Sequence, residues 1–174
     1  MIIFVAGIHG VGKTYLGAPA AQSLGLRHAT ASQLIREERG LQSWGSDKRV
    51  EGIDENQAAL ISAAKRLRSS EQPLLLDGHF VLRGANGKLQ QIDVQVFREL
   101  QIDAVLLLEA GIDVVLERLN IRGDTSWTVS ELHALAEQEA THALRISTEL
   151  GIPLANIYSP SREQFEDAIR AVIA

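Results

Sequence analysis

Three features of the 174-residue sequence predict an α/β fold, a parallel sheet with helices on both faces. Short apolar runs alternate with helical patterns, as in a chain of strand–helix–strand crossovers. The runs are apolar at successive positions, which suits strands covered on both sides. A glycine-rich octet separates the first run from the first helical pattern, at a carboxyl-terminal strand end where such folds bind ligands. With no repeat, low-complexity tract or linker, the chain reads as one domain over residues 1–174.

The predicted strands are Ile2-Ile3-Phe4-Val5-Ala6, a weak run at His28-Ala29-Thr30, Leu74-Leu75-Leu76, Ala104-Val105-Leu106-Leu107-Leu108 and Leu154-Ala155-Asn156-Ile157-Tyr158. After the first strand, Leu16, Ala20 and Leu24 recur at fourfold spacing and predict a helix. Residues 32–70 read as mainly helical, interrupted by a turn at Trp44-Gly45-Ser46-Asp47. Within them Asp54 and Gln57 resemble a capping box ahead of Leu60, Ile61, Ala64 and Leu67 on one face. Ile112, Val115, Leu116 and Leu119 mark a later helix. Thr128 with Glu131 opens a long one, and Ser161 with Gln164 opens the last, where Phe165, Ala168, Ile169 and Val172 face the core.

Composition removes several function classes. The absence of cysteine excludes disulfides and thiolate metal sites and fits a reducing, cytoplasmic setting. No apolar stretch reaches the ~20 residues of a membrane helix, and the expectation is no membrane partner. The apolar start has no preceding positive charge, so no signal peptide is expected. A formal charge of -5 argues against a nucleic-acid partner, which needs basic surface.

Gly7-Ile8-His9-Gly10-Val11-Gly12-Lys13-Thr14 fits the phosphate-loop pattern G-x-x-x-x-G-K-[ST] at every fixed position, directly after a strand and before a helix. Glycine lets the backbone curl until several N–H groups face one anion, and the helix N-terminus adds partial positive charge. Gly7, Gly10, Val11, Gly12, Lys13 and Thr14 are therefore the expected ATP-binding residues. Lys13 would reach the β- and γ-phosphates, and the Thr14 hydroxyl would ligate Mg2+. His9 occupies a variable position of the motif and reads as a spacer. Asp77 closes the run Leu74-Leu75-Leu76 at the ligand-bearing strand end. It either holds magnesium with Thr14 or caps the turn starting at Gly78.

The sequence lacks the N-K-x-D motif of guanine-reading GTPases, and an oligomeric ATPase of the AAA type would usually need a longer chain with further motifs. The remaining compact option is a kinase for a small acceptor. Residues 32–70 offer Arg36, Arg39, Lys48 and Arg49 to an anionic acceptor. Arg118 and Arg122, four positions apart, form a candidate catalytic pair with Lys13 in a short lid at about 118–128.

The sequence resembles the P-loop nucleoside monophosphate kinases over nearly its whole length. Leu75-Leu76-Asp77-Gly78 is similar to the strand-end element of adenylate kinases. The layout, with Asp77-Gly78-His79, an insertion over residues 80–91 and a short lid, is closest to the compact archaeal-type adenylate kinases. The resemblance implies a three-layer α/β/α P-loop NTPase fold with a five-stranded parallel sheet. It also implies ATP at the loop and a nucleotide acceptor, AMP for instance, under residues 32–70. Arg83 lies near the arginine that follows the aspartate–glycine element in ordinary adenylate kinases, though at a different spacing, and joins Arg36, Arg49 and Asp77 as an acceptor-binding candidate. The sequence departs from the family at Glu117, where a second lid arginine is common. It departs again in the helix after Thr128, which offers only His133, His142 and Arg145.

The reading is thus an ATP-dependent kinase acting on a nucleoside monophosphate or another small anionic acceptor. The alternative is a P-loop ATPase serving as a nucleotide-controlled switch or assembly factor. A kinase-like fold that only binds nucleotide is the third reading.

Overall fold

The computed structural model describes residues 1–40, 52–69, 72–84 and 86–173. The chain runs β1 (Ile2–Ala6), α1 (Lys13–Leu24), β2 (Arg27–Thr30), α2 (Ala31–Arg39), α3 (Ile53–Arg68), β3 (Leu74–Asp77), β4 (Val81–Arg83), β5 (Leu89–Gln91) and α4 (Val94–Leu100). It continues through β6 (Ala104–Glu109), α5 (Ile112–Ile121), α6 (Val129–Leu150), β7 (Leu154–Tyr158) and α7 (Arg162–Ile173). The predicted turn at Trp44-Gly45-Ser46-Asp47, with Lys48 and Arg49, lies outside the described residues.

Five strands form one parallel sheet in the order β2-β3-β1-β6-β7, with helices layered on it in an α/β/α arrangement. All five predicted strands are in it. Every residue of β1 and β3 is buried, which explains their unbroken apolar character up to Asp77. The register pairs Val5 with Asp77 and Ala6 with Leu107, so β1, β3 and β6 end nearly level. The loops leaving those three strands therefore converge.

Helix ends follow local chemistry in two of three expected cases. Thr128 and Glu131 make a reciprocal capping box at α6. At α7 the Ser161 N–H donates to Gln164 Oε1 at 2.8 Å, and the Gln164 N–H donates to Ser161 Oγ at 3.2 Å. The expected box at Asp54 and Gln57 is absent. The N-cap of α3 is Gly52, at φ 61°, and Asp54 instead lies in the first turn, where its charge favours the helix dipole.

The insertion over residues 80–91 is a β-hairpin, with Val81 opposite Gln91 and Arg83 opposite Leu89. Phe80 anchors it in an aromatic cluster, edge-on to Phe4 at 5.1 Å and tilted against Phe97 at 4.6 Å between ring centroids. Among the described residues no helix is long and apolar enough to cross a membrane.

Gly78 marks the tightest point of this packing. A Cβ there would fall 2.5 Å from Phe4 Cζ, and the ring is hemmed in by Phe80 and Phe97. Gly78→Ala is expected to destabilise the protein by about 1–3 kcal/mol, measured by urea unfolding. An unchanged midpoint would show that Phe4 can yield.

Candidate functional site

The glycines shape the phosphate loop by letting backbone pass where a side chain could not. Gly7 sits at φ 135°, and a Cβ there would collide with the Leu108 carbonyl. Gly12, at φ 111°, is the N-cap of α1 and supplies no capping side chain. The first helical bond recorded at this end runs from the Leu16 N–H to the Gly12 carbonyl. Lys13, Thr14 and Tyr15 thus bring N–H groups to the helix start with no helical carbonyl to receive them.

Lys13 curls back over the loop, its Nζ donating to the Gly7 carbonyl at 2.5 Å and the Ile8 carbonyl at 3.3 Å. Burial lowers its pKa to about 8, and the negative charges of Glu139 and Asp77 oppose that fall. The ammonium is held by two neutral carbonyls, which phosphate oxygens could replace.

Asp77 ends β3 at 3% exposure. Its Oδ2 accepts from Thr14 Oγ1 at 3.0 Å and lies 3.0 Å from His28 Nε2, while Oδ1 is buried with no hydrogen-bond partner among the described residues. The Gly78 N–H donates instead to the Val5 carbonyl at 3.0 Å, so the turn-capping alternative for Asp77 has no support in the geometry. A hydroxyl and a buried carboxylate with an unused oxygen, side by side at the phosphate loop, suit a hard divalent cation such as Mg2+. His28 was not singled out in the sequence, although β2 pairing beside β3 is what brings it to this carboxylate.

A cavity of about 500 Å³ opens in front of the loop. Its lining combines polar His9, Lys13, Thr14, Asp77, His79 and Arg122 with apolar Phe4, Ile35, Leu60, Leu82, Phe97 and Leu100. Thr30, Asn56 and Gln57 also line it. His9, read from sequence as a spacer, packs against His79 at the cavity wall, the rings tilted and 4.2 Å apart between centroids.

The arginines divide. Arg118 is exposed on α5 and donates from Nη1 to the Gly10 and Val11 carbonyls at 3.2 and 3.0 Å. Arg122, the C-cap of α5, lines the cavity rim. Arg36 is half-buried on α2 outside the cavity lining, its Nε without a partner among the described residues. Arg39 donates to Asn56. Arg83 does not take the expected acceptor position. It is 6% exposed, donates to Ser126 and Glu131, and lies 4.3 Å over the Trp127 ring, bracing the hairpin against the start of α6. Arg49 lies outside the described residues.

Glu139 escaped the sequence reading altogether. It projects from α6 at 1% exposure. Its Oε1 accepts from the Gly7 N–H at 3.1 Å and the Phe80 N–H at 3.0 Å; its Oε2 accepts from Phe80 at 2.9 Å and Val81 at 2.8 Å. Burial raises its pKa, against the opposing pull of Lys13 and of the Phe80, Gly7 and Val81 N–H groups. His142, offered by sequence as a basic group on this helix, is buried with Nε2 2.6 Å from the Ile92 carbonyl. Arg145 pairs with Glu149.

A family profile described as "AAA domain" matches residues 6–131, which include the phosphate loop, Asp77 and the α5 arginines. No curated protein matches the sequence. Among solved structures, shikimate kinase from Acinetobacter baumannii in complex with shikimate aligns at a TM-score of 0.64 and 16% identity, covering 99% of this chain and 92% of that one. Shikimate kinase from Aquifex aeolicus gives 0.62 and 15%, covering 99% and 96%. The Bacteroides thetaiotaomicron shikimate kinase gives 0.59 and 18%, covering 98% and 95%. At such identities the likeness establishes a shared fold and no more.

The oxygen pair at Thr14 and Asp77 yields a direct expectation. Asp77→Asn should raise the magnesium concentration needed for half-maximal ATP binding by about tenfold, while metal-free binding stays within about threefold. Fluorescent-nucleotide titrations with and without EDTA measure both. An unchanged magnesium requirement would remove Asp77 from the metal site.

Proposed function

The chain belongs to the AAA-domain family, and from that premise we propose that it is an ATP-dependent kinase. It would transfer the γ-phosphoryl group to a nucleoside monophosphate or another small anionic acceptor, AMP being one candidate, and work in the cytoplasm. The observation that carries the reading is one cavity lined both by the phosphate loop and by residues of α3. His9, Gly10, Gly12, Lys13 and Thr14 of the loop line it together with Asp77 and with Asn56, Gln57 and Leu60. A loop built only to hydrolyse nucleotide needs no such extension of its cavity.

In the proposed reaction an acceptor oxygen attacks the γ-phosphorus, the bond to the β–γ bridging oxygen breaks, and ADP leaves. Lys13 exchanges the Gly7 and Ile8 carbonyls for β- and γ-phosphate oxygens, and the N–H groups at the start of α1 receive the remaining charge. Thr14 and Asp77 would hold magnesium, which when bound neutralises charge across the two phosphates. Arg122 meets the transferring group from the rim. Arg118 joins it by leaving the Gly10 and Val11 carbonyls, so residues 118–128 act as the lid. A phosphate acceptor is already ionised and needs no general base; with a hydroxyl acceptor Asp77 would take the proton. Arg36 and Arg49, within the 32–70 segment, are the cations proposed for the acceptor, in an adenylate kinase-like layout. Arg83, fully engaged elsewhere, has no part in it.

The second reading, a nucleotide-controlled switch, draws on the family description and on Arg118 resting against the loop's own carbonyls. ADP release measured with ATP alone and then with a panel of monophosphates separates the two. The kinase reading expects a slow basal rate that rises with the right acceptor. Lys13→Ala should cut that rate by a few orders of magnitude without unfolding the protein. Arg118→Ala and Arg122→Ala should each cost tenfold to a thousandfold in kcat, equivalent to ~1.4–4 kcal/mol. Arg170→Ala, whose guanidinium is engaged locally by Glu166 and Asp167, is the surface control. Lid variants indistinguishable from that control would overturn the catalytic role of the pair.

A further inference from the structure

Glu139 joins the phosphate loop to the hairpin. One buried carboxylate receives N–H groups from two segments that no single secondary-structure element joins. Gly7 opens the phosphate loop, while Phe80 and Val81 begin the hairpin. Both oxygens act only as acceptors here, and the Phe80 N–H is shared between them. A desolvated carboxylate persists only where hydrogen bonds replace the water it has lost. Three N–H groups do so here, with the Lys13 ammonium near enough to oppose the effect of burial.

The hairpin side of this connection reaches further. Residues 79 and 82, which flank the Phe80–Val81 pair, line the cavity as His79 and Leu82, and His79 Nδ1 lies 4.0 Å from Glu139 Oε1. Arg83, the last residue of β4, holds Ser126, Trp127 and Glu131 at the entry to α6. A continuous set of contacts thus runs from Gly7 through Glu139 and the hairpin to the end of the lid segment.

We propose that Glu139 is a positioning residue that couples the phosphate loop to the hairpin, so that nucleotide at the loop tightens the wall of the acceptor chamber. Phosphate draws the loop's N–H groups toward itself. Any displacement of Gly7 must then be followed by the carboxylate or cost a hydrogen bond, and a carboxylate that follows carries Phe80 and Val81 with it. The inference rests on nucleotide binding in the reading above and not on the identity of the acceptor. Glutamine at this position keeps the shape but turns an amide N–H toward N–H donors, breaking one side of the connection.

Hydrogen exchange followed by mass spectrometry tests the coupling in the full chain, with the nonhydrolysable analogue AMP-PNP as probe. In the wild type the analogue should slow exchange about threefold or more in segments 3–14 and 78–92 together. In Glu139→Gln it should slow only segment 3–14, with segment 162–173 unchanged as control. Equal slowing of the hairpin in both proteins, or none in the wild type despite binding, would overturn the inference and leave the kinase reading standing. If the wild type binds no AMP-PNP, the nucleotide reading fails, and the ligand-free proteins decide the inference. Faster exchange in both segments of the variant, with the control unmoved, then supports coupling; loosening of one segment alone, or of neither, overturns it. Should Glu139→Gln not fold, Glu139→Asp, which keeps the charge on a shorter arm, replaces it under the same criteria.

Discussion

Lys13 holds its charge half-buried at the cavity wall, and the site is organised around that constraint. An ammonium partly removed from solvent is costly unless oxygen atoms surround it. Here the nearest are the neutral carbonyls of Gly7 and Ile8, which bind it without matching its charge. The carboxylates of Asp77 and Glu139 act over a longer distance and only partly offset its burial. The result is a cation fixed in position and still short of an anion. Much of the nearby architecture serves to maintain that state: the positive-φ glycines of the loop, the level ends of β1, β3 and β6, and the side-chain-free Gly78 under Phe4.

The two flanking carboxylates are kept from neutralising the lysine by having other partners. Asp77 is taken up by Thr14 and His28 through one oxygen, which leaves the other with no donor among the described residues. Glu139 is saturated by backbone N–H groups. Removing one partner from a buried charged arrangement of this kind typically costs 3–5 kcal/mol, about as much as a domain can lose. Stability and phosphate binding therefore draw on the same few atoms. The cavity lining also includes the buried apolar side chains of Phe4, Leu60 and Phe97.

How much of this the sequence disclosed depended on whether the signal was local. The strands were legible because burial on both faces leaves uninterrupted apolar runs. The phosphate loop was legible because its glycines and lysine are adjacent in the chain. Thr128 with Glu131 and Ser161 with Gln164 were legible for the same reason: a capping box closes within one helical turn. Asp54 with Gln57 carried the same pattern, but Gly52 starts the helix two residues earlier and places Asp54 inside it. Contacts between distant segments left no such trace. Glu139 belongs to a helix rich in acidic residues, and nothing local separates it from Glu137 or Glu131. His28 meets Asp77 only because β2 lies beside β3, and Arg83 is turned from the cavity by Trp127, 44 positions further along the chain.

The fate of the γ-phosphorus tests the central claim most directly. Phosphorus NMR of the protein with magnesium, ATP and an equimolar mixture of nucleoside monophosphates would follow it without a coupling enzyme. A kinase predicts that the γ resonance of ATP declines while the β-phosphate signal of a newly formed nucleoside diphosphate grows in equal amount. Orthophosphate should stay at the background set by Lys13→Ala. Loss of ATP matched by orthophosphate alone would contradict phosphoryl transfer and identify the chamber as part of a nucleotide-hydrolysing device.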